Sequence, residues 1–230
     1  MILAFHSIFS FHGFWLPNDA RGSGSNYVAN WDLFRGYGPA TQVSTRHSVA
    51  RKPHDHARRM AAKETLKSPA VQITGQQALT ISIGFAAAIK EAGYRIHACA
   101  ILPDHVHLVI GWHPRDVEII VKHLKSNGTR QLRKNGEWDE RKLWGEHGWN
   151  VYLNEVADVE RAIAYVEANP LKEGKRRQRW SFVTPFDLQL ALADRSALQA
   201  TQRVPGLNRN TRKIGGAALN SHERKLRRNV

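Results

Sequence analysis

Apolar residues along this chain fall into short runs whose spacing lays out the elements. Residues 2–11 (ILAFHSIFSF) are rich in Ile and Phe and read as a first strand. The segment from His12 to Ser25 is punctuated by Gly, Pro and Asn and reads as a loop, with Phe14 and Trp15 serving as core plugs or as base-stacking platforms. Residues 26–75 show no sustained period; a short helix over about 54–67, ended by Pro69, fits within them. Leu79, Ile83, Ala86, Ala87 and Ile89 recur at near-helical spacing over 76–92, and Gly93 stops that helix. Tyr94 to Leu102 and His105 to Trp112 then read as the arms of a β-hairpin turning at Pro103-Asp104. A helix follows over 114–134, closed by Asn135-Gly136, and then a strand or irregular hairpin with Trp138, Trp144, Trp149 and Tyr152. Asp158 reads as the N-cap of a helix over 159–169, ended by Pro170 and Gly174. Residues 181–200 read as a short strand and a helix, and no internal repeat is visible.

The chemistry concentrates in the second hairpin arm. Side chains alternate faces along a strand, so His105 and His107 project from the same side. Two imidazoles on one rigid face make up two-thirds of a metal site, although half-buried polar residues are the ordinary occupants of such positions. Tyr165 and Asn169 are four residues apart on a helix and share a face. A phenol and an amide near two imidazoles give a nucleophile and an oxygen ligand beside two nitrogen ligands. Open positions would suit phosphate oxygens and water around Mg2+ or Mn2+. With no cysteine or carboxylate read near the pair, a structural zinc is disfavoured. His54 and His56 form another His-x-His pair but lack apolar flanks, and read as a solvated helix start.

Composition adds the substrate class. The 230 residues suit one domain with appendages or two small ones, and 42% hydrophobic residues suffice for a core. The single Cys99 excludes a disulfide framework and a cysteine zinc cluster. No apolar run reaches the ~20 residues of a membrane helix. The N-terminus also lacks the basic start of a signal peptide, so a cytoplasmic protein with no membrane partner is expected. Lys and Arg number 34 against 20 acidic residues, giving +14, and the pI is about 10.3. Such a charge points to a polyanion, and basic residues interspersed with aromatics favour nucleic acid over a membrane surface. Lys172, Lys175, Arg176 and Arg177 follow the Tyr165 helix directly. The last thirty residues hold eight basic residues against Glu223 and read as a disordered or weakly helical tail.

Three segments resemble one family. PDHVHLVI looks like the His-hydrophobe-His strand of the HUH single-tyrosine transposases, the insertion-sequence 200 group. AIAYVEANPLKEG resembles the Tyr-x-x-x-Asn-Pro-x-x-x-Gly segment of their REP-associated branch, and HGFWLPNDARGS its N-terminal Gly-x-Trp-Leu-x-x-Asp-x-Arg-Gly loop. Order and spacing agree over about residues 1–185, with 30–70 as an insertion and 186–230 as a basic, partly disordered extension. Asn169 rather than Gln resembles the REP-associated variant, an amide in either case, and the basic tail has no counterpart. The resemblance implies an α+β, ferredoxin-like domain with a central antiparallel sheet and helices packed on it. It implies a divalent metal, Mg2+ or Mn2+, on His105, His107 and Asn169. Tyr165 would be the nucleophile on single-stranded or hairpin DNA, leaving a 5′-phosphotyrosine and a 3′-hydroxyl. Trp15, Arg21, Lys172, Lys175, Arg176 and Arg177 would contact the DNA. Either a monomer or a homodimer suits this reading. Two other functions share the motifs: a catalytically idle regulator that binds DNA hairpins, and a rolling-circle initiator or relaxase. The short spacing from Tyr165 to Asn169-Pro170 favours the transposase branch over the latter.

Overall fold

In the computed structural model, residues 1–22, 28, 30–41 and 52–202 are described. The tail from residue 203 onward, read as disordered or weakly helical, lies outside the described residues. The elements are β1 (Ala4–Phe11), α1 (Trp31–Tyr37), α2 (His56–Glu64), α3 (Gly75–Ala92), β2 (Ile96–Ile101), β3 (His105–Gly111), α4 (Val117–Lys134), β4 (Trp144–Leu153), α5 (Val156–Lys172) and α6 (Leu188–Gln202). The four strands form one sheet in the order β2-β3-β1-β4, and every pairing is antiparallel. With α3 crossing between β1 and β2 and α4 between β3 and β4, the order is the ferredoxin-like β-α-β-β-α-β. The expected fold class is therefore the observed one. Helices α1 and α2 interrupt the first crossover, in the stretch read as an insertion.

Local chemistry sets the ends of these helices. Thr74 and Gln77 form a reciprocal capping box at the start of α3, and Gly93 closes it with φ 69°. Asp55 caps α2, so the His54-Asp55-His56 stretch is the helix start expected of it. Two readings shift. Residues 31–37 form a helix that the pattern did not announce, capped by Asn30 on the amides of Asp32 and Leu33. Helix α5 begins earlier and ends later than 159–169. Its N-cap is Glu155, whose side chain makes no capping bond. Asp158 instead lies in the first turn and pairs with Arg161. Pro170 sits in the last turn, where it removes one amide donor and the helix survives it.

Two cores sandwich the sheet. On one face Phe5, Phe9, Phe11, Val106, Leu108 and Ile110 pack against Ile81 and Phe85 of α3 and Ile120 and Leu124 of α4. Each such fully buried Leu, Ile or Phe contributes about 1.5–3 kcal/mol. The other face presents shorter side chains, Ala4, Ala98, Ala100 and Val109, to Val159, Ala162 and Val166 of α5. Those alanines let α5 lie against the strands that carry the histidine pair. Beyond α5 the chain runs along the free side of β2. Gln178 donates from Nε2 to the Ile101 carbonyl (2.7 Å) and accepts the Ile101 amide (2.8 Å). Trp180 Nε1 donates to the Cys99 carbonyl at 3.1 Å, and Val183 forms a bridge with Ile96. The segment read as a short strand is thus a ladder fragment on the β2 edge. Among the described residues no helix is long and apolar enough to cross a membrane.

Candidate active site

β3 lies inside the sheet between β2 and β1, so its histidine pair sits on a rigid, doubly paired strand. Ser10 pairs with His105, Ile8 with His107 and His6 with Val109. These positions share one face, the face covered by α5. The expected convergence is present: the Tyr165 ring lies edge-on to His107, with centroids 5.6 Å apart at 72°. Tyr165 is 38% exposed. Asn169 follows one turn later and is buried at 8% exposure. Lys172, a further turn on, holds Nζ 4.3 Å from the Tyr165 ring centroid.

A third histidine joins them that the sequence reading left in an apolar strand. His6 Nε2 lies 3.1 Å from His107 Nδ1, and its ring contacts both His107 (5.4 Å, 27°) and Tyr165 (5.8 Å, 65°). Parity was the available signal. Phe5, Phe9 and Phe11 are the core positions of β1, so even-numbered His6 faces the other way. Burial pushes His6 down to about 4. Burial, aided by the neighbouring charges of His105, His6 and Lys172, pushes His107 well below the ordinary imidazole value. Both rings are neutral at pH 7.

Carboxylates are also present, contrary to the sequence reading. Asp104, read only as a turn residue, places Oδ1 2.6 Å from His105 Nδ1. Burial alone would raise Asp104, but the hydrogen bond and charge of His105 outweigh it and hold the carboxyl below its ordinary range. Glu173, at the end of α5, completes a group in which one ligand atom each of Asp104, His105 and Glu173 lie within 4.8 Å of one another. These donors suit a divalent cation. His107 is neutral, as ligation requires. His105 Nδ1 is engaged by a carboxylate, leaving Nε2 to the site. Asn169 has a buried amide Nδ2 with no partner. The oxygen and nitrogen of such an amide differ only by a flip, and with oxygen in that place it would be a buried acceptor.

The N-terminal loop reaches the same centre. Phe14 stacks on His105 at 5.3 Å and 11°, and Trp15 packs edge-on against Phe14. Arg21 was expected on DNA, and the structure turns it inward. It is 3% exposed, lies 4.1 Å above the Trp15 ring and donates from Nε (2.9 Å) and an η nitrogen (2.6 Å) to Asp19. A guanidinium so buried and doubly paired braces the loop, and its donors are not turned to solvent. The half-buried Trp15 is shared between this brace and the surface. Lys172, Lys175, Arg176 and Arg177 are exposed, as expected. Lys175 and Arg177 make only loose pairs with Glu173 (3.7 Å) and Glu167 (3.5 Å), worth little in water.

Residues 65–169 match the family model described as IS200-like transposase. No curated protein matches the chain. Among solved structures, a REP-associated tyrosine transposase bound to a REP hairpin is similar, with a TM-score of 0.43 and 12% identity over 78% of this chain and 74% of that one. A candidate transposase from Deinococcus radiodurans R1 is similar, with a TM-score of 0.36 and 14% identity over 77% of this chain and 94% of that one.

Proposed function

We propose that the chain is a member of the family of IS200-like transposases that its residues 65–169 match, and that it cleaves and rejoins single-stranded DNA at hairpin-containing sites through a 5′-phosphotyrosine on Tyr165. One observation carries the reading. A half-exposed phenol stands against the buried His107 imidazole, with a buried amide one helical turn away. The proposed nucleophile and the histidine pair thus meet on one face of the sheet although some sixty residues of chain separate them.

In this reading the Tyr165 oxygen bonds to phosphorus and the bond from phosphorus to the 3′ oxygen breaks. The phenol gives up its proton and the departing 3′ oxygen gains one. A phosphodiester is exchanged for a phosphotyrosine, so no ATP is consumed, and the reverse step rejoins a strand. His105, His107 and Asn169 would hold a divalent Mg2+ or Mn2+ ion, with Asp104 orienting His105 and Glu173 close by. Such an ion supplies polarisation of the phosphorus and stabilisation of charge on the phosphate oxygens. Lys172 lies over the Tyr165 ring, where its ammonium adds positive charge beside the incoming phosphate. Lys175, Arg176 and Arg177 extend the positive surface along the strand, a sequence-blind and salt-sensitive contribution. Trp15 offers its exposed part to an unpaired base.

The test is covalent capture. Incubation with end-labelled single-stranded hairpin DNA and Mg2+ or Mn2+ should give a protein–DNA adduct that survives denaturation. Tyr165→Phe should abolish the adduct and leave binding near the wild-type level, because the ring and its contacts remain. An adduct that survives this change would overturn the assignment. Tight binding of hairpins without any adduct would favour the idle regulator.

A further inference from the structure

We propose that His6 is a positioning residue of this site: it accepts the Nδ1 proton of His107 and so fixes the ring plane and tautomer in which His107 offers its Nε2 lone pair to a divalent cation. The proposal rests on the reading of His107 as a cation ligand.

The strand register places His6 diagonally from His107, since Ile8 is the residue directly opposite. Diagonal neighbours are within reach of a long or aromatic side chain. The two facing nitrogens, His6 Nε2 and His107 Nδ1, are 3.1 Å apart, a hydrogen-bonding distance. A bond between two imidazole nitrogens holds one proton, on one side only. With the proton on His107 Nδ1, the Nε2 of His107 is a bare acceptor. With the proton on His6 Nε2, His107 would carry its own proton on Nε2 and could not ligate.

The neighbouring histidine favours the first arrangement. A carboxylate only accepts, so Asp104 fixes the proton of His105 on Nδ1 and leaves Nε2 bare. Both members of the pair would then present the same nitrogen, each with its Nδ1 anchored by a neighbouring side chain. The anchors differ: a carboxylate at the half-exposed end, an imidazole at the buried end. The choice is physically apt, because a second carboxylate beside 4%-exposed His107 would carry a charge with little water near it. His6 also touches the Tyr165 ring edge-on. One residue of β1 thus braces both the ligand ring and the ring of the proposed nucleophile. An aliphatic residue would fill the same space on this Ala- and Val-lined face but would supply no acceptor.

The test combines a measurement on the wild type with a variant series. Long-range nitrogen–proton spectra of the metal-free wild type should place the His107 proton on Nδ1. In His6→Phe, which keeps a flat ring without nitrogens, the Kd for Mn2+ followed by paramagnetic resonance should rise about 10–100-fold. His6→Gln, which can present an amide oxygen, should recover part of that loss, and circular dichroism should show both variants folded. A His107 proton found on Nε2 overturns the proposal whether or not the variants fold. So does a His6→Phe affinity within about twofold of wild type, well short of that change. A wild type that binds no Mn2+ also overturns it, while the covalent-adduct assay still decides separately on Tyr165.

Discussion

Gly84 lies where α3 presses against α4, and the substitution Gly84→Ala measures that contact. A Cβ placed there would lie 2.4 Å from the Asn127 carbonyl oxygen, 2.7 Å from its carbon and 2.8 Å from the Gly128 Cα. These are backbone atoms of a packed helix, so no side chain can swing aside. The helices must part by roughly 1 Å, loosening Ile81, Phe85 and Leu124 between them. Overpacking of this kind costs about 1–3 kcal/mol, and an overlap with main chain belongs at the upper end. Replacing a mid-helix glycine by alanine returns about 1 kcal/mol. The net expectation is a loss of about 2 kcal/mol, or roughly 4–8 °C in Tm for a domain of this size. Gly75→Ala is the internal control. It lies in the same helix, and nothing stands within 4 Å of its added Cβ, so its effect should stay within about 0.5 kcal/mol. Thermal and urea unfolding of the two variants decide the matter. Equal midpoints, or a more stable Gly84→Ala, would refute the close approach of the helices.

Three further outcomes follow from other contacts. Arg21→Met leaves the Asp19 carboxylate buried without its partner and should cost about 3–5 kcal/mol in urea unfolding. Asp19→Leu in the same chain should restore most of that, and an unaffected single variant would return Arg21 to the surface. Asp104 is held below the ordinary carboxylate value of 3.8, so its contribution is complete above that value and fades as pH falls through the lower folded value. The stability gap between wild type and Asp104→Asn should therefore be widest near neutrality and close in acid, and a gap that widens on acidification would contradict the pairing with His105. Gln178→Ala removes both bonds to Ile101 and should cost about 1–3 kcal/mol. It should also speed hydrogen exchange at the Ile101 amide, and unchanged exchange would mean the bonds are absent in solution.

What was legible in the sequence depended on signals that stay local. The β3 strand announces itself as an apolar run behind Pro103-Asp104, and α3 by its spacing before Gly93. The His105, His107, Tyr165 and Asn169 set could be named because two local periods, two for a strand and four for a helix turn, each put a pair on one face. His6 escaped because a single histidine among Ile and Phe reads as strand filler. Only the pairing of β1 with β3, about a hundred residues apart, sets it beside His107. Asp104 was visible as a turn former, but its second task depends on where one carboxylate rotates. Arg21 was misplaced because loops usually send arginine outward. Here Asp19, two residues earlier, folds back to take both the amide and the guanidinium of Arg21. Helix α1 is only seven residues long, too short for a period to declare itself, though Asn30 before Asp32 was a capping signal.

The order in which the chain delivers its parts has a temporal consequence. The imidazoles of His6, His105 and His107 all leave the ribosome before α5, and the strands that align them pair within the span Ala4 to Gly111. Tyr165 and Asn169 arrive afterwards, on a helix seated over a floor of Ala4, Ala98 and Ala100. A nascent or truncated chain that stops short of α5 would carry the three histidines without the phenol of Tyr165 or the amide of Asn169. For a protein proposed to cut DNA through Tyr165, the proposed nucleophile is thus added to the site only after the histidines have been made.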